Sequence, residues 1–183
     1  PAVSPYLHFA LQSGSNAILK KMNRRHTYED FSTMVQYLRR DNPYFGISTD
    51  IIVGFPGETE QDFEQTVQAF RECDFDFAYI ARYSPRSQTY ASQMKDMIDH
   101  ETKAYRWDTL NQELQESIYR RNTIMLGRED VILVNKITDT YISGRTENFK
   151  EVFVPHRQGI VLGDLIPIVI TQIDNWVLRG DYL

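Results

Sequence analysis

The chain has 183 residues, 42% of them hydrophobic and 25% charged, with a net charge of −5. That is room for one large domain or two small ones of ordinary globular composition, and it argues against a broadly basic nucleic-acid surface while leaving space for a local basic patch. One cysteine, Cys73, excludes an internal disulfide or a cysteine-rich metal site within the chain. The apolar runs are too short to span a bilayer, and with no signal-peptide pattern a cytoplasmic protein is expected.

The sequence opens at Pro1-Ala2-Val3-Ser4-Pro5, without Met, which reads as a cut through a longer protein. Tyr6–Leu11 is a short strand candidate, and Gln12-Ser13-Gly14-Ser15 forms a turn in which Ser15 can cap a helix over Asn16–Met22. Thr27-Tyr28-Glu29-Asp30 has capping-box form, with Asp for the usual Glu, and Phe31, Met34, Val35 and Leu38 follow as one apolar helical stripe. Asn42-Pro43 ends that helix. Ile47–Phe55 is a strand rich in β-branched residues, followed by a Pro56-Gly57 turn and a second capping box at Thr59-Glu60-Gln61-Asp62. Phe63, Val67 and Phe70 give the next helix its buried face, with Cys73 expected as a small core hydrophobe. Phe75–Tyr83 is a third strand. A loop, Ser84–Asp99, leads to a long helix over Glu101–Ile124 with Trp107, Leu110, Leu114 and Ile118 in its stripe.

This alternation predicts parallel strands with crossover helices. Three strand–helix repeats do not close an eight-fold barrel, and a parallel sheet is normally covered on both faces, so further strands are expected before Pro1. After Gly127 the pattern changes. Val131–Val134, Tyr141–Arg145, Glu151–Pro155, Ile160–Leu162 and Leu165–Ile173 are short strand candidates separated by turn formers. They predict a small antiparallel barrel. The expected fold is therefore α/β over residues 1–126, with a β-barrel over 127–183.

Ligands in α/β folds sit at the C-terminal ends of the strands. Three such ends are expected here: Gln12–Ser15, Gly54–Glu58 and Arg82–Arg86. Gly54 and Gly57 would let the backbone approach a ligand, although a tight turn needing glycine would carry the same pattern. Asp50 lies inside an apolar strand and shares a face with Ser48, Ile52 and Gly54. It must be paired, with Arg82 as a candidate partner, or used, for example by sugar hydroxyls. The four histidines are scattered, without metal-ligand spacing and without a nucleophile beside them.

Three segments then occur together. They are Leu11-Gln12-Ser13-Gly14-Ser15 with Leu19, Met22-Asn23-Arg24 and His26-Thr27; Ser48–Thr59; and Tyr83-Ser84-Pro85-Arg86 with Thr89 and Ala91. In combination they resemble the radical S-adenosylmethionine (SAM) methylthiotransferases over essentially the whole chain. The tail from about Gly127 resembles that family's TRAM domain, a small β-barrel that holds RNA. The resemblance implies SAM and two [4Fe–4S] clusters as cofactors, their cysteine ligands lying outside this chain. It implies an external electron donor, a tRNA anticodon stem-loop as partner and no membrane. Among the branches, C2 methylthiolation of N6-isopentenyladenosine matches best. Threonylcarbamoyladenosine in tRNA and an aspartate of a ribosomal protein are the alternatives, and a non-catalytic RNA-binding module is an alternative of another class.

By the same resemblance, Val53, Gly54, Gly57 and Glu58 belong to the element that packs along adenine. Ser13 and Ser15 reach the amino-acid or ribose end. Asp50 serves the ribose, Arg82 the carboxylate, and Arg86 faces RNA or the second cluster. The family usually reads Arg-Pro-Gly-Thr-Pro-Ala where this chain has Arg86-Ser87-Gln88-Thr89-Tyr90-Ala91, which predicts a looser loop. The tail carries six Lys and Arg against eight Asp and Glu, a poor bulk signature for RNA. Arg145, Phe149, Lys150, His156 and Arg157 nevertheless cluster in sequence, and are expected to track phosphates and stack a base.

Overall fold

The computed structural model describes residues 4–87, 89–94, 98–174 and 176–183. Gln88, within the substituted loop motif, and Asn175, within an expected turn, lie outside them, as do Pro1–Val3.

Strands β1 (Tyr6–His8), β2 (Gly46–Val53) and β3 (Phe77–Arg82) form a parallel sheet in that order. Beyond His8 the first strand leaves the ladder and returns as a single bridge from Gln12 to Ile51, with the Thr49 hydroxyl accepting from the Leu11 N–H between them. The expected strand over Tyr6–Leu11 is thus half as long, because a side chain replaces part of its backbone pairing.

Helices α1 (Asn16–Lys21), α2 (Tyr28–Asp41), α3 (Glu60–Cys73) and α4 (His100–Thr123) complete this unit. Ser15 caps α1, and Thr27 and Thr59 form the two capping boxes with Asp30 and Asp62. Alternation along β2 sends Ile47, Ile51 and Val53 into a core with Phe31, Val35, Phe63, Phe70, Phe75, Leu110, Leu114 and Ile118. Trp107, expected in the same stripe, instead lies partly exposed and donates its indole N–H to the Ile80 carbonyl. Cys73 is buried in this core, and burial pushes its thiol up to about 11. The other face of the sheet carries His8, Asp50, Tyr79 and Ala81 and is open. Among the described residues, no helix is long and apolar enough to cross a membrane.

Strands β4 (Glu129–Ile137), β5 (Tyr141–Arg145), β6 (Glu151–Pro155), β7 (Leu165–Ile173) and β8 (Leu178–Tyr182) close a barrel in the order β4-β5-β6-β8-β7. A second core of Ile132, Val134, Ile142, Val152, Val154, Ile168, Ile170 and Leu178 fills it. Two expectations are corrected. The barrel is not wholly antiparallel, since β6 and β8 run parallel. Ile160–Leu162 is no strand: Val161 and Leu162 are exposed, and Asp164 folds the segment into a turn by accepting from the Val161 N–H. The fifth strand is β8, whose Gly180 is packed so closely that a Cβ there would lie 2.7 Å from the Val169 carbonyl oxygen.

The barrel meets the sheet at the N-terminal ends of its strands. Asp76, just before β3, is buried there with three cations: Arg39 at 2.9 Å, Arg121 at 3.2 Å and Lys150 at 2.8 Å. It also accepts the Ile47 N–H. Asn148 donates to the Tyr44 carbonyl, Tyr6 stacks on Phe149 at 4.5 Å, and Phe77 meets Trp176 edge-on.

Candidate ligand site at the strand ends

Strand β2 ends in a turn built by its own residues. Glu58 N–H donates to the Phe55 carbonyl, with Pro56 and Gly57 (φ +79°) at the corners, the type II arrangement that favours this pair. Gly54 is also left-handed, at φ +72°. Its N–H donates to the Glu58 carboxylate at 2.7 Å, and the same oxygen takes the Arg106 guanidinium at 2.7 Å. Burial pushes the Glu58 carboxyl up from its ordinary value, against the Gly54 N–H and Arg106, which pull it down. A Cβ at Gly54 would strike the Lys103 stem at 2.4 Å, and one at Gly57 would meet the Lys21 ammonium at 2.7 Å.

These contacts place the expected adenine-side residues as the frame of the site. Glu58 is spent on Gly54 and Arg106, the Val53 side chain is in the core, and both glycines make room for lysines. Ser13 and Ser15 are likewise buried. The Ser13 hydroxyl accepts from the Ser15 N–H, and the Ser15 hydroxyl donates to Asp62 at 2.5 Å. Both serines tie the β1 end to α3 and lie away from the cavity.

The cavity at the strand ends has a volume of about 470 Å³ and is bounded by Asp50, Ile52, Phe55, Arg82, Tyr83 and Arg86, among others. That is the size range of small-molecule sites. Asp50 is paired, but with His8 at 3.2 Å; Arg82 lies with its guanidinium 6.0 Å from the Trp107 ring centre. The other His8 nitrogen meets Ser48 at 2.8 Å, and Ser48 meets Tyr6 at 2.6 Å. A chain Tyr6–Ser48–His8–Asp50 thus crosses the open face. When each hydroxyl donates toward His8, its Nε2–H points at Asp50, which keeps its second oxygen for a ligand. His8 was missed by sequence reasoning. The signal was its spacing from Ser48 across β1 and β2, which becomes visible only once the register is known.

A second, larger cavity of about 880 Å³ adjoins the first, and both share Gln12, Arg24, Ile52, Phe55, Thr89 and Ala91. Gln12 holds a left-handed backbone at φ 74° there, an uncommon conformation for a residue with a side chain. The roof is a single 3-10 turn, Tyr90–Gln93, capped by the Thr89 hydroxyl. The described part of the substituted loop is therefore shaped by Thr89.

The expected RNA cluster does not assemble. Lys150 is buried on Asp76, where its ammonium is unavailable to phosphate. Arg145 and Phe149 stack on each other at 4.0 Å, beside Tyr6 at the joint. His156 and Arg157 lie beyond the far end of β6, about 17 Å away for a five-residue strand. There His156 meets the Thr138 carbonyl and Arg157 covers Tyr182. Adjacent positions in sequence are separated here because a strand intervenes. Among the described residues, no group of three His, Cys, Asp or Glu converges on a metal position.

Residues 2–70 match the radical SAM superfamily. Over its whole length the chain is 38% identical to the tRNA-2-methylthio-N(6)-dimethylallyladenosine synthase of Dictyoglomus thermophilum, of which it covers 42%. Over 96% of its length it is 41% identical to the protein of that name from Clostridium novyi, covering 39% of it. Over its whole length it is 36% identical to the one from Chromobacterium violaceum, again covering 42%. The chain spans about two fifths of the length of these curated relatives.

Proposed function

We propose, from the match of residues 2–70 to the radical SAM superfamily, that this chain's protein is a tRNA methylthiotransferase adding a methylthio group to C2 of N6-isopentenyladenosine in the anticodon loop. Residues 1–126 would be the C-terminal part of the radical SAM barrel with its connecting helix, and residues 127–183 the TRAM barrel. The observation that carries this reading is the likeness to the Dictyoglomus protein along the entire chain.

The cavity's chemistry fits SAM. The free oxygen of Asp50 would accept the ribose hydroxyls, and the exposed Arg82 guanidinium would hold the carboxylate. Ile52 and Phe55 would offer apolar surface to the adenine. When bound, SAM and a [4Fe–4S] cluster supply the radical chemistry, with electrons from an external donor. The cluster ligands fall to other residues, since Cys73 is buried in α3. His8 orients Asp50, and Arg106 with Glu58 holds the turn that shapes the adenine side.

Nucleoside mass analysis tests the reading. Full-length, cluster-loaded protein is incubated with SAM and tRNA carrying either N6-isopentenyladenosine or threonylcarbamoyladenosine. Methylthiolation of the first supports the proposal, and methylthiolation of the second alone replaces it with the alternative branch.

A further inference from the structure

The larger cavity has a composition that the cofactor does not need. Its floor and sides carry Met22, Phe55 and Met94, its rim carries Tyr90, which is 78% exposed, and one side is lined by Lys20, Lys21 and Arg24. Lys21 is engaged, donating to the Gly57 carbonyl at 2.8 Å. Lys20 and Arg24 are exposed and, among the described residues, take part in no ion pair. Several other cations are matched to acids, Arg71 with Glu113, Arg106 with Glu58 and Arg120 with Asp74, while Arg82, Arg145 and Arg157 lie on aromatic rings.

Their position is fixed by the end of α1. Asn23 turns left-handed at φ 57°, its N–H donates to the Lys20 carbonyl, and the Arg24 N–H donates to the Leu19 carbonyl. That pair of bonds is the Schellman ending. It folds the chain back so that Arg24 stands where the two cavities join.

Exposed cations beside an apolar cavity with an exposed aromatic rim have as their complement a polyanion with flat apolar groups. An unpaired nucleic-acid segment has that chemistry: phosphates pair with Lys and Arg, and bases stack on aromatic rings. We propose that this cavity is the docking groove for an unpaired RNA segment beside the cofactor, with its phosphates on Lys20 and Arg24 and a base against Tyr90. The inference rests on the RNA-modifying reading above. It relocates the contacts nearest the reaction from the small barrel to the end of α1.

The test measures binding of a fluorescein-labelled RNA hairpin, with an unpaired adenosine in its loop, to the full-length protein across a salt series. For a Lys20→Gln/Arg24→Gln protein with unchanged melting temperature, affinity at low salt falls by about tenfold or more, and the slope of log affinity against log salt falls by about two. Tyr90→Ala weakens binding by about tenfold with the slope unchanged, and Tyr90→Phe restores it. If the double variant melts early, the Tyr90 pair decides alone. Wild-type affinity and slope in a folded double variant, or wild-type affinity in Tyr90→Ala, would overturn the groove while leaving the RNA reading intact. A wild-type protein that ignores the hairpin would overturn both.

Discussion

A carboxylate in the middle of an apolar strand has to be paired or used, and the surroundings of Asp50 provide for both. One oxygen takes His8 and the cavity faces the other side of the group. Replacing Asp50 by Asn in the full-length protein is expected to raise the SAM dissociation constant about tenfold, the 1.4 kcal/mol typical of one hydrogen bond to a charged group. His8→Phe should give a smaller loss of the same kind, because the carboxylate then rotates freely. Calorimetry reads both, and an unaltered constant for Asp50→Asn would assign the residue to sheet structure alone. The sequence made Asp50 visible as an anomaly but not its partner. Arg82 looked equally suitable, and only the β1–β2 register brings His8 within reach. Lys150 shows the converse: its type suggested a phosphate contact, and burial at the joint gave it to Asp76.

Signals carried within one element were legible, and those set by a neighbour were not. Both capping boxes and the Pro56-Gly57 turn follow from local hydrogen bonding. Strand β8 was missed because Leu178–Tyr182 carries charges and a glycine, and its pairing with β6 and β7 comes from barrel closure. Ile160–Leu162 had strand composition, but Asp164 and the left-handed Gly159 and Gly163 bend it into a turn. The two site glycines each face a lysine, Gly54 the Lys103 stem and Gly57 the Lys21 ammonium. Gly54→Ala should therefore destabilise the fold by about 2 kcal/mol, through its left-handed backbone and the clash with Lys103. Denaturant unfolding checks this, and a change within experimental error would contradict the packing described.

At the scale of the molecule, one buried carboxylate joins the sheet to the small barrel. Burial pushes the Asp76 carboxyl up, but Lys150, Arg121 and Arg39 outweigh it and hold it below its ordinary value. The unfolded chain thus takes up the proton first as acid is added. The stabilisation is complete above the ordinary carboxylate pKa of about 4 and is lost as the pH falls through the lower folded value. Asp76→Asn leaves three cations crowded without their anion and should cost about 3–5 kcal/mol, with the acid-dependent part of the unfolding curve flattened. An unchanged acid limb would place the acid sensitivity elsewhere. The joint lies at the opposite strand ends from the two cavities described, and the barrel leaves Arg157 and His156 exposed at its far end. The proposed reaction is read out by nucleoside mass spectrometry on tRNA bearing N6-isopentenyladenosine, after incubation with the full-length, cluster-loaded protein and SAM. A methylthio group at C2 of that nucleoside is the expected product. An unmodified nucleoside, from protein that demonstrably cleaves SAM and binds the tRNA, would contradict it.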